Sequence, residues 1–167
     1  MDGGQPSRTA IGAALLRAAH LVCDGEPKIF LDPWAAALSG TSEVSAIQAA
    51  LTAMETEAAA VVGPAHAAFV VGAVRTAVVV RSHYTEEAVM AAVARGLTQY
   101  VILGAGLDSF AYRRREVLGR LRVFEVDHPA TQAWKRARLQ ALGITLPPQL
   151  TFLPLDMERQ SLMTVLQ

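Results

Sequence analysis

Residues 100–127 read YVILGAGLDSFAYRRREVLGRLRVFEVD: an apolar run, a glycine-paired turn, a short helical stretch and a second apolar run ending on Asp127. Few folds accept that order. Short, continuously apolar runs bounded by turn residues suit strands covered on both faces. Strands joined through a helix run parallel, with a right-handed crossover. The alternation continues: Pro129 opens a second helical stretch, Gly143 closes it, and residues 150–153 form a third apolar run. Proline at the start and glycine past the end are the usual helix boundaries. Strands at 100–103, 121–126 and 150–153 therefore predict an α/β domain built on a parallel sheet.

Upstream of residue 99 the pattern is helical. Residues 7–21 have an amphipathic spacing, with Ser7 or Thr9 as cap. Asp24, Gly25, Glu26 and Pro27 mark a loop. Asp32 then caps a helix whose first residue is Pro33, and residues 40–43 break it. An alanine-rich helix comes next over 44–60, and Gly63-Pro64 separates it from a helix over 65–80. Thr85-Glu86-Glu87 reads as a fresh helix start, since acids in the first turn oppose the macrodipole favourably. That helix ends at Gly96, a left-handed position. The expected organisation is a helical lead-in over 1–98 and a sheet-bearing part over 99–167, together one structural unit.

Composition narrows the function classes. Lys+Arg and Asp+Glu both number 15, so no net field draws the chain toward nucleic acid or an anionic membrane. A hydrophobic content of 52% is enough for a buried core. A single cysteine, Cys23, excludes an internal disulfide framework and is expected to be a buried thiol. Residues 58–74 lack formal charge but contain Gly63, Pro64 and His66, and read as core helix rather than a span. A cytoplasmic location is the resulting expectation. His83 and His128 have no second ligand at metal-binding spacing, so no metal is expected.

The candidate site lies at the carboxyl ends of the strands, where open α/β sheets bind ligands. Gly104, Ala105 and Gly106 form the first turn, and glycine there lets a ligand approach the backbone closely. Asp127, about 20 residues on, is placed to accept hydrogen bonds from a ribose diol; it could also cap the helix at Pro129. A dinucleotide fingerprint wants a third glycine, but Ser109 stands there with Asp108 before it, which favours a nucleoside without phosphates. After the third strand, Asp156 could accept from an exocyclic amine, or cap a helix running from Glu158 onward, and the Met157 N–H could reach a ring nitrogen. Arg81, at an apparent joint between two helices, has the guanidinium geometry for a carboxylate, but taken alone it reads better as a surface arginine.

These segments resemble one known group. Arg81-Ser-His-Tyr, the run Gln99-Tyr-Val-Ile-Leu-Gly-Ala-Gly-Leu-Asp-Ser-Phe-Ala-Tyr-Arg113 and Val123-Phe-Glu-Val-Asp127-His-Pro are similar to the leucine carboxyl methyltransferase-like family of class I S-adenosylmethionine-dependent methyltransferases. Ser7-Arg-Thr-Ala and Leu31-Asp-Pro-Trp-Ala resemble its helical lead-in. The resemblance implies a helical N-terminal lead-in and then the first half (β-α-β-α-β) of a Rossmann-like sheet. It implies S-adenosyl-L-methionine as cofactor, with Arg81 on its carboxylate, Gly104 and Gly106 under its methionyl part, Asp127 on its ribose, and Asp156-Met157 framing adenine.

The expected function is methyl transfer to an undefined acceptor, a small molecule or peptide carrying a carboxylate or hydroxyl, with no catalytic residue assigned. The chain is expected to be the N-terminal part of a longer domain, since Gln167 falls inside what reads as the next helix. Two alternatives stand beside this: an NAD-dependent oxidoreductase, and a non-catalytic fragment that completes its sheet with a partner chain. Self-association stays open; nucleic acid and membrane partners are not expected.

Overall fold

The computed structural model describes residues 6–164. They divide into two compact units, one being Gly12–Glu86 and the other the residues before Gly12 together with those from Glu87 onward.

Four helices supply the Gly12–Glu86 unit: most of α1 (Arg8–Cys23), α2 (Ala35–Ser39), α3 (Val44–Val62) and the greater part of α4 (Pro64–Ala94). Leu16, Ala19, Ala35, Ile47, Leu51 and Val71 form its apolar core. Beneath that core two buried polar groups are matched by partners. Arg17 Nε donates to Asp32 Oδ2 at 2.9 Å. The backbone N–H of Ile29 donates to His20 Nε2 at 3.2 Å, so the imidazole proton sits on Nδ1, which donates to Asp24 Oδ2 at 2.7 Å. Burial would raise the Asp24 pKa, but His20 and Arg75 outweigh it and hold the carboxyl below its usual value.

Several helix boundaries differ from the sequence expectation. The expected break before Thr85 is absent: α4 is one helix of 31 residues. Residues 81–87 contain neither glycine nor proline, and Ser82 Oγ donates to Val78 O at 2.8 Å, so its hydroxyl is satisfied inside the helix. A capping pattern cannot start a new helix where one already propagates cooperatively. The expected helix start at Pro33 moves to Ala35, because Asp32 Oδ1 accepts from Trp34 N at 3.2 Å and shapes a turn first. Cys23, expected buried, ends α1 and is exposed. Residues 58–74 are not one core helix either. Gly63, at φ 82°, separates α3 from α4, and Val61 and Phe69 are 84% and 76% exposed. By length and composition alone α4 could cross a membrane, and 17% of its most apolar window is buried.

The second unit holds the sheet. Its strands are β1 (Gln99–Leu103), β2 (Arg122–Asp127) and β3 (Leu150–Pro154), with α5 (Phe110–Arg113) and a 3-10 turn, Arg115–Val117, between the first two, and α6 (Pro129–Ala141) between the last two. All neighbours are parallel, in the order β1-β2-β3. The α/β class and all three expected strands are observed, each within a residue or so of its expected limits. Gly96 at φ 98° follows α4, and Gly143 at φ 66° follows α6, both as expected.

Side chains alternate across the strands. On one face Tyr100 and Val123 pack with Val89, Val93, Phe110, Ala111 and Leu121, and the Tyr100 and Phe110 rings meet edge to face at 5.3 Å. Burying each of the larger side chains contributes about 2 kcal/mol. Gln132 Nε2 donates to Glu125 O at 2.8 Å and to Leu153 O at 3.1 Å, which pins α6 across two strands. Near the N-terminus, Ser7 Oγ accepts from Ala10 N at 3.3 Å and caps α1, while Ser7 N donates to Thr131 Oγ1 on α6 at 3.2 Å. After β3 the helix expected from Glu158 onward is not observed: residues 157–160 form a turn and a bend, a short 3-10 turn, Leu162–Thr164, follows, and residues 165–167 lie outside the described residues.

Candidate functional site

Parallel pairing with Leu103 opposite Val126 and Asp127 opposite Pro154 brings the carboxyl ends of all three strands to one edge. Backbone hydrogen bonds then knit the three loops beyond those ends together. Gly104 N and Ala105 N both donate to Val126 O, at 2.8 and 3.2 Å, folding the first loop onto the end of β2. Leu155 N donates to Asp127 O at 2.9 Å and fixes the third loop beside the second.

The first loop needs its glycines for two different reasons. Gly104 and Gly106 have φ of 64° and 52°, a region in which a Cβ is strained. At Gly104 a Cβ would point into open space, whereas at Gly106 it would come within 3.0 Å of the Ala10 Cβ. Gly104 therefore leaves a surface of bare backbone, and Gly106 lets residues 6–11 lie against the turn. Asp108 Oδ1 accepts from Phe110 N at 2.7 Å and starts α5. Ser109, in place of a third glycine, is buried and its Oγ accepts from Arg113 Nε at 2.8 Å.

Asp127 is the centre of the arrangement. Its Oδ2 accepts from Gly106 N at 2.5 Å and its Oδ1 from His128 N at 2.6 Å. A carboxylate has about four lone-pair directions, so these two bonds orient the Asp127 side chain, which is 8% exposed, and leave it further acceptor capacity. The suggested capping of α6 by Asp127 is corrected: His128 Nδ1 takes that role, accepting from Ala130 N at 3.2 Å. The capping role suggested for Asp156 is observed in a turn instead of a helix, with Oδ1 accepting from Glu158 N at 3.1 Å. Met157 comes next, 52% exposed.

The strand ends thus gather Gly104, Ala105, Gly106, Asp127, Asp156 and Met157. Arg81 belongs to the Gly12–Glu86 unit, exposed within α4 and not at a joint between helices.

Sequence reasoning missed a buried cluster behind Asp127. Glu125 and Lys135 are 1% and 0% exposed and bridge at 2.5 Å. Lys135 Nζ also lies 5.5 Å from the centre of the Tyr112 ring. Glu125 Oε1 and the Tyr112 hydroxyl are both buried with no partner among the described residues. Burial pushes the Glu125 carboxyl up to about 7, Lys135 pulls against that, and Asp108 and Asp127 push it further up. Burial and the same Glu125 and Asp108 charges raise the Tyr112 phenol. The available signal was an acid inside an otherwise apolar strand, with a lysine ten residues on facing back from the next helix.

Residues 10–167 match the family described as Leucine carboxyl methyltransferase. Three relatives, each named "Putative S-adenosyl-L-methionine-dependent methyltransferase", are similar to this chain. One, YktD from Bacillus subtilis (strain 168), is 46% identical over 78 residues, covering 47% of this chain and 26% of the relative. A second, from Mycolicibacterium paratuberculosis, is 34% identical over 82% of this chain and 42% of its own length. A third, from Mycobacterium ulcerans, is 32% identical over 89% of this chain and 47% of its own length. The chain spans less than half the length of these relatives. With its glycine turn, strand-end aspartate and match over nearly its whole length, the chain belongs to the leucine carboxyl methyltransferase family.

Proposed function

We propose that this chain supplies the cofactor-binding part of an S-adenosyl-L-methionine-dependent methyltransferase, built as the first half of a Rossmann-like sheet behind a helical lead-in. The observation that carries the reading is the convergence of three strand-end loops on Asp127, whose carboxylate is held by the Gly106 N–H. The donor set fits that cofactor. Asp108 and Asp127 flank the turn with negative charge, which suits a sulfonium and opposes a diphosphate. Bare backbone at Gly104 suits close approach of the methionyl part. The names of the relatives point the same way.

Within this reading Asp127 accepts from the ribose diol and Ala105 and Gly106 shape the floor of the turn. Asp156 and Met157 border adenine. The bound cofactor supplies an activated methyl group on a sulfonium. The residues here bind it, orient it and exclude water from one side, which is most of what an already activated donor requires. The acceptor is proposed to be a carboxylate on a small molecule or peptide, because a carboxylate needs no general base.

Titration calorimetry of the chain with S-adenosylhomocysteine and with NAD tests this reading. Saturable binding of adenosylhomocysteine alone is expected; preference for NAD would reverse the assignment.

A further inference from the structure

A helix on the surface of a folded unit turns apolar residues to the core and charged or polar ones to water. α4 departs from that pattern. Its inner side is set by Ala67, Val71 and Val79, all buried, and by Arg75, whose guanidinium reaches Asp24 at 2.7 Å. Its outer side carries Phe69, Ala73, Thr76, Ala77, Val80 and Tyr84, all exposed, with Phe69 at 76% and Tyr84 at 73%. At 3.6 residues per turn these six positions fall on one stripe. No charged residue interrupts it. Thr76 Oγ1 donates to Gly72 O at 2.9 Å, so that hydroxyl is satisfied within the helix and needs no outside partner.

The stripe is self-complementary about the midpoint between Thr76 and Ala77. A second α4 laid antiparallel across that midpoint sets Ala73 against Val80 of the other copy, Phe69 against its Tyr84, and Thr76 against its Ala77. A small residue meets a larger one at the first pair, and aromatic meets aromatic at the second. Every such contact occurs twice, as a two-fold axis requires. Three residues beyond the stripe at its two ends stand His66 and Glu87, both exposed on the same helix. The same register sets each His66 against a Glu87 of the other copy, whereas a parallel pairing would oppose the two Glu87 carboxylates.

We propose that the outer face of α4 is the surface through which two copies of this chain associate, as an antiparallel helix pair centred on Thr76 and Ala77. From His66 to Glu87 the contact runs about six turns, roughly 30 Å. Ala73 and Ala77 let the axes approach to about 8 Å, and Phe69 and Tyr84 are the large aromatic anchors removed from water. A bilayer suits this helix less well. A spanning α4 would strip Ala67, Val71 and Val79 from their packing and carry Arg75, paired with Asp24, into hydrocarbon. The association is independent of the cofactor reading.

Sedimentation equilibrium of the full chain at micromolar concentration tests it, and a dimer that dissociates on dilution is expected. Ala73→Glu puts a charge opposite Val80 of the second copy, and Val80→Arg puts one opposite Ala73. Each is expected to weaken association at least about a hundredfold, since the new charge is buried unpaired. Both positions face solvent in the single chain, so circular dichroism should match the parent. The two substitutions together set opposite charges across the axis, twice; two turns apart on their own helix, they cannot pair within it. Dimerisation should then return. If either variant unfolds, Thr76→Arg and Ala77→Glu, opposed in the same register, take their place. A monomeric parent overturns the proposal, as does a dimer indifferent to the single substitutions. Single variants that dissociate without recovery in the double variant overturn the antiparallel pairing. A parent chain that floats with phosphatidylcholine vesicles instead of dimerising assigns the stripe to lipid and overturns it as well.

Discussion

Asp127 Oδ2 and the Gly106 backbone N–H lie 2.5 Å apart, joining the tip of β2 to the glycine turn after β1 across 21 residues of sequence. One carboxylate thereby fixes the turn after β1 and, in the proposed function, also accepts from the cofactor ribose. Replacing Asp127 with alanine removes both functions. The variant is expected to bind S-adenosylhomocysteine at least about tenfold more weakly, the loss typical of hydrogen bonds to a charged group. Calorimetry at fixed salt measures it; unchanged affinity would remove Asp127 from the site.

The two glycines of the turn separate strain from space. Gly104→Ala meets only the cost of a left-handed backbone, about 1 kcal/mol, because nothing lies within 4 Å of its Cβ. Gly106→Ala bears the same strain and also pushes on Ala10 at 3.0 Å. Its cost should reach about 2 kcal/mol or more. Urea unfolding of both variants compares them directly, and equal costs would mean that residues 6–11 yield freely.

The strands, α6, the glycine turn and Asp127 were legible in the sequence because each has a local signal: apolar runs, Pro129 and Gly143 at helix limits, and an acid at a strand tip. The continuity of α4 was not, since Thr85-Glu86-Glu87 carries a start signal that a helix already under way overrides. Cys23 looked buried by residue type, yet a position at the last residue of α1 leaves it exposed. The Glu125–Lys135 pair is a tertiary fact. Nothing local says that a lysine on α6 points inward at a strand acid.

Lys135 is the only cation in hydrogen-bond contact with Glu125 among the described residues, and the pair has no access to water. Lys135→Met leaves the acid without its counter-charge and should destabilise the chain by about 3–5 kcal/mol. Adding Glu125→Leu to the same chain removes the unpaired charge and should recover most of that loss. Unfolding free energies of the parent, both single variants and the double variant complete the cycle. Additive losses would mean that the two side chains act independently despite their contact.

Stability should also depend on pH through Glu125. Its carboxyl is raised from 4.5 to about 7 in the folded chain, so folding favours the protonated form. Below pH 4.5 the group is protonated in both states and its stabilising contribution is full. As pH rises, the unfolded chain releases its proton first, and stability falls until the folded carboxyl ionises too, near 7. The loss over that window is about 3 kcal/mol, after which this group contributes no further slope. Asp24 acts in the opposite direction at lower pH. Its carboxyl is held below 3.8 by His20 and Arg75 against the effect of burial, so its contribution is lost as pH falls through that range. Stability should therefore peak between the two windows, on the acid side of neutrality. Urea midpoints taken across the range measure the profile, and Glu125→Gln should flatten its descending arm. A midpoint that climbs steadily from pH 5 to pH 7 would mean the buried pair is held charged, with Lys135 outweighing burial.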